Sequence, residues 1–160
     1  LSRATAGTVF LTTRSGSDSV VIERKEGSYP IKVLTQRVGE RRPLGSTVAG
    51  VALLAALSDA ETEDLIKKNR ERLSRYGMLS EKVLRQMLER ARKLGYALND
   101  EDVIPEVTGI GVAIPTRLGT PYAALSVVAL KHRLTGVRRE EVAALMSAEA
   151  RKLSDTLAGQ

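Results

Sequence analysis

Apolar and polar positions alternate over the first third of the chain, cycle with a helical period through the middle, and return as long apolar runs before a final helix. Thr8-Val9-Phe10-Leu11-Thr12-Thr13 is β-branched and apolar, which predicts a strand. Ser15-Gly16-Ser17-Asp18 reads as a turn, and Ser19-Val20-Val21-Ile22-Glu23-Arg24 as its hairpin partner. After a Gly27-Ser28 turn, Ile31-Lys32-Val33-Leu34 alternates as a third strand, completing an antiparallel meander. Gly39-Glu40-Arg41-Arg42-Pro43 then forms a charged turn. Beyond it, Ser46 or Thr47 caps an apolar helix reaching about Leu57. Ser58-x-x-Glu61 is a capping-box pattern for a polar second helix that Gly77 can stop. A third helix starts at Ser80, carries Val83, Leu84, Met87, Leu88, Ala91 and Leu94 on one face, and ends at Gly95.

Strands resume with the short Tyr96-Ala97-Leu98. The runs 109–115 and 122–129 flank a Gly119-Thr120-Pro121 turn and predict a hairpin buried on both faces. A last helix over about Val137–Leu157 would turn Val142, Leu145, Met146, Leu153 and Leu157 inward. The order βββ, ααα, βββ, α predicts an α+β fold, most simply one six-stranded antiparallel sheet with helices packed on it. A chain of 160 residues fits a single domain.

The helix after Pro43 opens on small hydroxyl residues and is poor in side-chain bulk. Such a start leaves first-turn amides approachable, and those amides carry unsatisfied donors and partial positive charge that suit an anion. This points to a small-molecule site. Other chemistry is scarce. No Cys is present and His132 is the single His, so thiolate and two-His metal sites cannot form. No nucleophile-elbow, phosphate-loop or dinucleotide motif occurs, and Gly109-x-Gly111 lies inside a strand pattern. Asp100-Glu101-Asp102 reads as a solvated turn, and His132 as a solvated loop residue. The expectation is no catalytic residue, no metal and no cofactor. The net charge of +6 is interleaved with acids, and aromatics are only 3%, which disfavours a base-stacking surface. A small α+β enzyme and a basic nucleic-acid-binding domain remain as alternatives. No apolar run is long enough to span a bilayer and no signal peptide is evident, so the expected setting is cytoplasmic, without membrane contact.

Three segments together resemble one family. Arg41-Arg42-Pro43-Leu44 with Ser46-Thr47-Val48-Ala49-Gly50-Val51-Ala52-Leu53-Leu54 is the first. Arg92-Lys93-Leu94-Gly95-Tyr96 with its following acidic run is the second, and 110–115 with 123–127 the third. In this order and spacing they resemble the C-terminal effector-binding half of IclR-type transcriptional regulators. The resemblance implies a GAF/profilin-like domain over 1–160 that senses a small organic or aromatic acid. It also implies DNA binding through a winged helix-turn-helix that this sequence, which starts at Leu1, does not include. A homodimer or homotetramer follows from the same likeness. The ligand positions it implies are Leu34, Ser46, Thr47, Val48, Ala49, Asn99, Gly109, Gly111, Ser126 and Val128. Where the family carries Gly, an acid, Cys and a second Ser, this chain has Val48, Asn99, Gly109 and Val128. A His and a Lys common in the family are replaced by Gly45 and Val51. Gly109 is expected to open space and Val128 to remove a hydroxyl, which favours a larger, less polar acid than a short oxoacid. Arg42 is a weaker candidate for a charge facing the ligand's carboxylate.

Overall fold

The computed structural model describes residue 5 and residues 7–28, 36–117 and 119–158. Two hairpins make most of the sheet. In the first, β1 (Thr8–Ser15) pairs antiparallel with β2 (Asp18–Lys25), with a bulge between Leu11 and Thr12 that leaves Ile22 without a partner. In the second, β5 (Val107–Ala113) pairs with β6 (Ala123–Leu130). The hairpins join through β1 and β6, and β3 (Arg41–Pro43) and β4 (Ala97–Asp100) form the edges. The order across the sheet is β3-β2-β1-β6-β5-β4, with every pairing antiparallel. This is the predicted α+β architecture.

Three helices lie on one face: α1 (Val48–Ala55), α2 (Asp59–Leu73) and α3 (Glu81–Leu94). Helix α1 is apolar all round because it is buried all round, from Val48 to Leu54, between the sheet and the other two helices. Leu54, Ile66, Leu84 and Met87 are among the fully enclosed side chains of that layer. The long α4 (Gly136–Ala158) covers the other face, where Val142, Ala143, Met146 and Ala150 meet Ile110, Val112, Leu125 and Val127.

Local signals explain most boundaries. Ser58 Oγ accepts the Glu61 amide at 3.2 Å, the N-cap half of the predicted capping box, and donates to the Glu61 carboxylate at 3.1 Å. Ser80 Oγ accepts the Val83 amide at 3.1 Å, and Gly95 ends α3 at φ 85°. Three features differ from expectation. Helix α2 stops at Leu73, short of Gly77. Arg41-Arg42-Pro43, read as a turn, is a short strand pairing with Asp18, Ser19 and Val20. Asp18 holds it in place through Arg41 at 3.4 Å and Arg72 of α2 at 2.7 Å, and Pro43 is tolerated because the strand is at an edge. In α4, Leu145 and Leu153 are exposed while Ala143 and Ala150 are buried, since small residues let the helix lie close on the sheet. The strand expected over Ile31–Leu34, and the side chain of Leu157, lie outside the described residues.

Candidate small-molecule site

The chain leaves β3 and crosses to the start of α1 through Leu44–Thr47. The Leu44 amide donates to Ser17 O at 3.0 Å, and Gly45 turns the backbone at φ 105°. Ser46 donates to Pro43 O through its amide at 3.1 Å and its hydroxyl at 2.9 Å. Thr47, in extended conformation, caps α1 by accepting the Gly50 amide at 3.1 Å. Both hydroxyls therefore serve the turn and the cap. What remains for a ligand is backbone: the Val48 and Ala49 amides head the helix without helical acceptors.

Beneath them the sheet is cut away. A Cβ on Gly111 would stand 2.5 Å from Val48 O and 3.3 Å from Ala49 N, so glycine here is what lets α1 rest on β5. A Cβ on Gly109 would stand 3.1 Å from Val48 Cγ1 and 3.5 Å from Val128 Cγ2. The space expected above Gly109 is thus occupied by the Val48 side chain.

The register brings the other positions together in rows on this face. One row runs Thr8, Val128, Gly109, Asn99; the next runs Phe10, Ser126, Gly111, Ala97; a third runs Val21, Thr12, Ala124, Ala113. Nine of the ten expected residues, Ser46 through Ala49, Asn99, Gly109, Gly111, Ser126 and Val128, belong to α1's approach or to these rows; Leu34 lies outside the described residues. Ser126 is 2% exposed, directly beside Gly111. Asn99 Oδ1 accepts the Asp102 amide at 3.0 Å, so part of its polarity is spent shaping its own turn.

Three residues on this face carry no family signal in the sequence. Phe10 is completely buried opposite Ser126. Thr12 is 1% exposed, and its hydroxyl finds no hydrogen-bond partner. Arg24, opposite Phe10, donates to Gln36 O at 2.9 Å. The period-two pattern Thr8-Phe10-Thr12 is the only signal that could have placed the first two here.

Nearby charges are already engaged. Arg42 pairs with Glu40 at 2.8 Å and lies over the Tyr76 ring at 5.2 Å. Asp102 pairs with Arg90 at 2.6 Å and accepts the Asp100 amide at 2.8 Å. Glu101 binds Lys131 and the Glu106 amide; Lys131 holds its carboxyl below the usual range, while Glu101 raises the Lys131 ammonium. The acidic run is therefore a structural knot, and the described residues form no metal-holding cluster of three His, Cys, Asp or Glu. Burial, and then the hydrogen bond to Glu140 at 2.9 Å, push the Tyr96 phenol up. His132 is exposed in a short 3-10 turn, Lys131–Arg133. Toward the C-terminal end of α1 a separate cavity of about 340 Å³ is lined by Ala52, Ala91, Arg92, Tyr96 and Ala113, and shares only Gly111 with the expected site.

One six-stranded antiparallel sheet, with three helices on one face and one on the other, defines an α+β domain of the GAF/profilin-like kind. The chain belongs to the bacterial transcriptional regulator IclR C-terminal family, whose model matches residues 1–155. It is 30% identical over 151 residues to the HTH-type transcriptional repressor AllR of Klebsiella pneumoniae, covering 94% of this chain and 55% of that protein. It thus spans about half the length of this relative. The crystal structure of the Thermotoga maritima IclR superposes with a TM-score of 0.82 at 27% identity, covering 96% of this chain and 62% of that one. An IclR homolog from Microbacterium hydrocarbonoxydans, solved in complex with 4-hydroxybenzoate, shares the fold with a TM-score of 0.78 at 22% identity, covering 98% and 63%. Among the described residues no helix is long and apolar enough to cross a membrane.

Proposed function

We propose that this chain is the effector-sensing half of a transcriptional regulator, and that its effector is an aromatic or alicyclic acid. The observation that carries the reading is the first turn of α1: its Val48 and Ala49 N–H groups have no helical acceptor, and the Val48–Ala49 peptide is seated on Gly111, which pairs with the buried Ser126. A carboxylate placed there meets two N–H donors and the positive end of a helix. Val48, Val128 and Phe10 give the surroundings apolar surface, with Thr8, Thr12 and Asn99 as the polar members of the same rows. The Microbacterium homolog's 4-hydroxybenzoate supports an acid of this class.

Regulation follows from linkage. A ligand that binds one arrangement of the regulator better than another shifts the population toward it, and DNA affinity shifts with it. The DNA contact belongs to a winged helix-turn-helix in the full-length protein, and paired half-sites call for a homodimer or homotetramer. Calorimetric titration with 4-hydroxybenzoate, benzoate, pyruvate and glyoxylate tests the effector class. Binding of the aromatic acids supports the reading, and tight binding of only the short acids rejects it.

A further inference from the structure

We propose that Val48 and Gly109 form one size-matched unit closing the β5 side of the effector site, which makes Val48 the residue that sets how bulky an acid can sit at the α1 amides. The inference rests on the effector reading above. It begins from a difference between two glycines on one strand face. At Gly111 the obstacle to a side chain is backbone, Val48 O at 2.5 Å and Val48 C at 2.9 Å, so that position is fixed by how α1 sits. At Gly109 the obstacle is a side chain, Val48 Cγ1 at 3.1 Å. The valine fills the volume that a residue at 109 would otherwise fill, and Val128 Cγ2, at 3.5 Å, bounds the same space.

Val48 is also the first residue of α1, so its side chain stands next to any anion held by its own amide. Shortening it opens a gap between Gly109, Val128 and the amide donors. An acid with a ring next to its carboxylate gains from that gap, whereas a two- or three-carbon oxoacid does not. Adding a methyl at 109 takes the gap back. Both residues should therefore act together on stability and on ligand choice.

The test uses Val48→Ala, Gly109→Ala, the double variant and Val48→Thr. Thermal midpoints are measured for each, with calorimetric affinities for 4-hydroxybenzoate and pyruvate. Val48→Ala should lower the midpoint by leaving a hole, and Gly109→Ala should be better tolerated in that background than in the wild type, where its methyl meets Val48 Cγ1. The double variant should lose less than the sum of the two. Val48→Ala should raise the ratio of 4-hydroxybenzoate to pyruvate affinity about tenfold, the scale of one or two methyl groups in a binding pocket. The double variant should bring the ratio back toward wild type, and Val48→Thr, which keeps the shape but adds a hydroxyl, should shift it far less than Val48→Ala. Additive midpoint losses overturn the size-matched unit. An unchanged ratio in Val48→Ala, or an equal shift in Val48→Thr, overturns the specificity role. If the wild-type chain binds neither acid, the aromatic-acid reading fails while the midpoint cycle still decides the unit, so the two failures are distinguishable.

Discussion

Replacing Gly111 by alanine puts one methyl between β5 and the first turn of α1. The new carbon would lie 2.5 Å from Val48 O, so the helix start must retreat by roughly 0.9 Å to reach the 3.4 Å of ordinary contact. Neither side can give cheaply, since the obstructing atoms are backbone rather than the tip of a side chain. The helix has little room to retreat: α1 is buried from Val48 to Leu54, and Gly50 is itself pressed to within 2.8 Å of Gly45 N, measured from where its Cβ would be. Gly111 does not have a positive φ, so alanine is conformationally acceptable there and the penalty is steric alone. Overpacking of this kind costs about 2–3 kcal/mol. At roughly 2–4 °C per kcal/mol for a chain of this size, the thermal midpoint should fall by about 4–12 °C. The measurement is a melt followed by circular dichroism, with urea titration to check that the slope is unchanged. A Gly111→Ala midpoint within about 1 °C of wild type would refute the seating of α1 on β5.

Other predictions concern single groups. Thr47→Ala removes the α1 cap and should cost about 1 kcal/mol in urea unfolding. Thr12→Val replaces a buried hydroxyl that has no partner by a methyl of the same shape, and should stabilise the chain by about 1 kcal/mol in the same assay. Asn69→Ala breaks the Nδ2 bond to Ser17 O at 2.8 Å, which ties α2 to the β1–β2 turn, and should cost about 1–2 kcal/mol. Glu101 has a lowered folded pKa, so its contribution is present above its ordinary value and lost as pH falls through the folded one. Glu101→Gln should therefore lower the thermal midpoint at neutral pH and converge on wild type in acid; equal midpoints at neutral pH would refute the Lys131 contact as stabilising.

The fold was legible where a residue type has one physical use. Ser58, Ser80 and Gly95 mark helix ends because a hydroxyl acceptor and a left-handed glycine have few other roles there. Strand β3 was illegible because Arg41-Arg42-Pro43 has neither alternation nor β-branching. Its place depends on Asp18 receiving Arg41 and Arg72 from distant parts of the chain. Leu145 and Leu153 are poor guides because a large apolar side chain need not be buried: the α4 contact is made by Val142 and Met146 together with the small Ala143 and Ala150. At the candidate site the family resemblance brought out residues that the register does gather on one sheet face. It could not show that Gly109's vacancy is filled from α1, because that depends on a contact between residues far apart in sequence. Thr12 and Arg24 were missed because a threonine in a β-branched run and an arginine at a strand end look ordinary until the rows are aligned.

The pairing of β1 with β6 has a consequence for how the chain comes off the ribosome. Thr8 sits beside Val128 at the centre of the sheet, so β1 must wait for β6, the last of the six strands to be made, before its inner edge is covered. Until then the β1–β2 hairpin shows an open edge that includes Val9, Phe10 and Leu11, which is an aggregation hazard for a nascent chain. Pairing over such a separation also raises contact order and slows folding. A permuted chain that begins at β5 and joins the old ends after α4 would synthesise β6 and β1 close in time, and should refold faster with the same sheet.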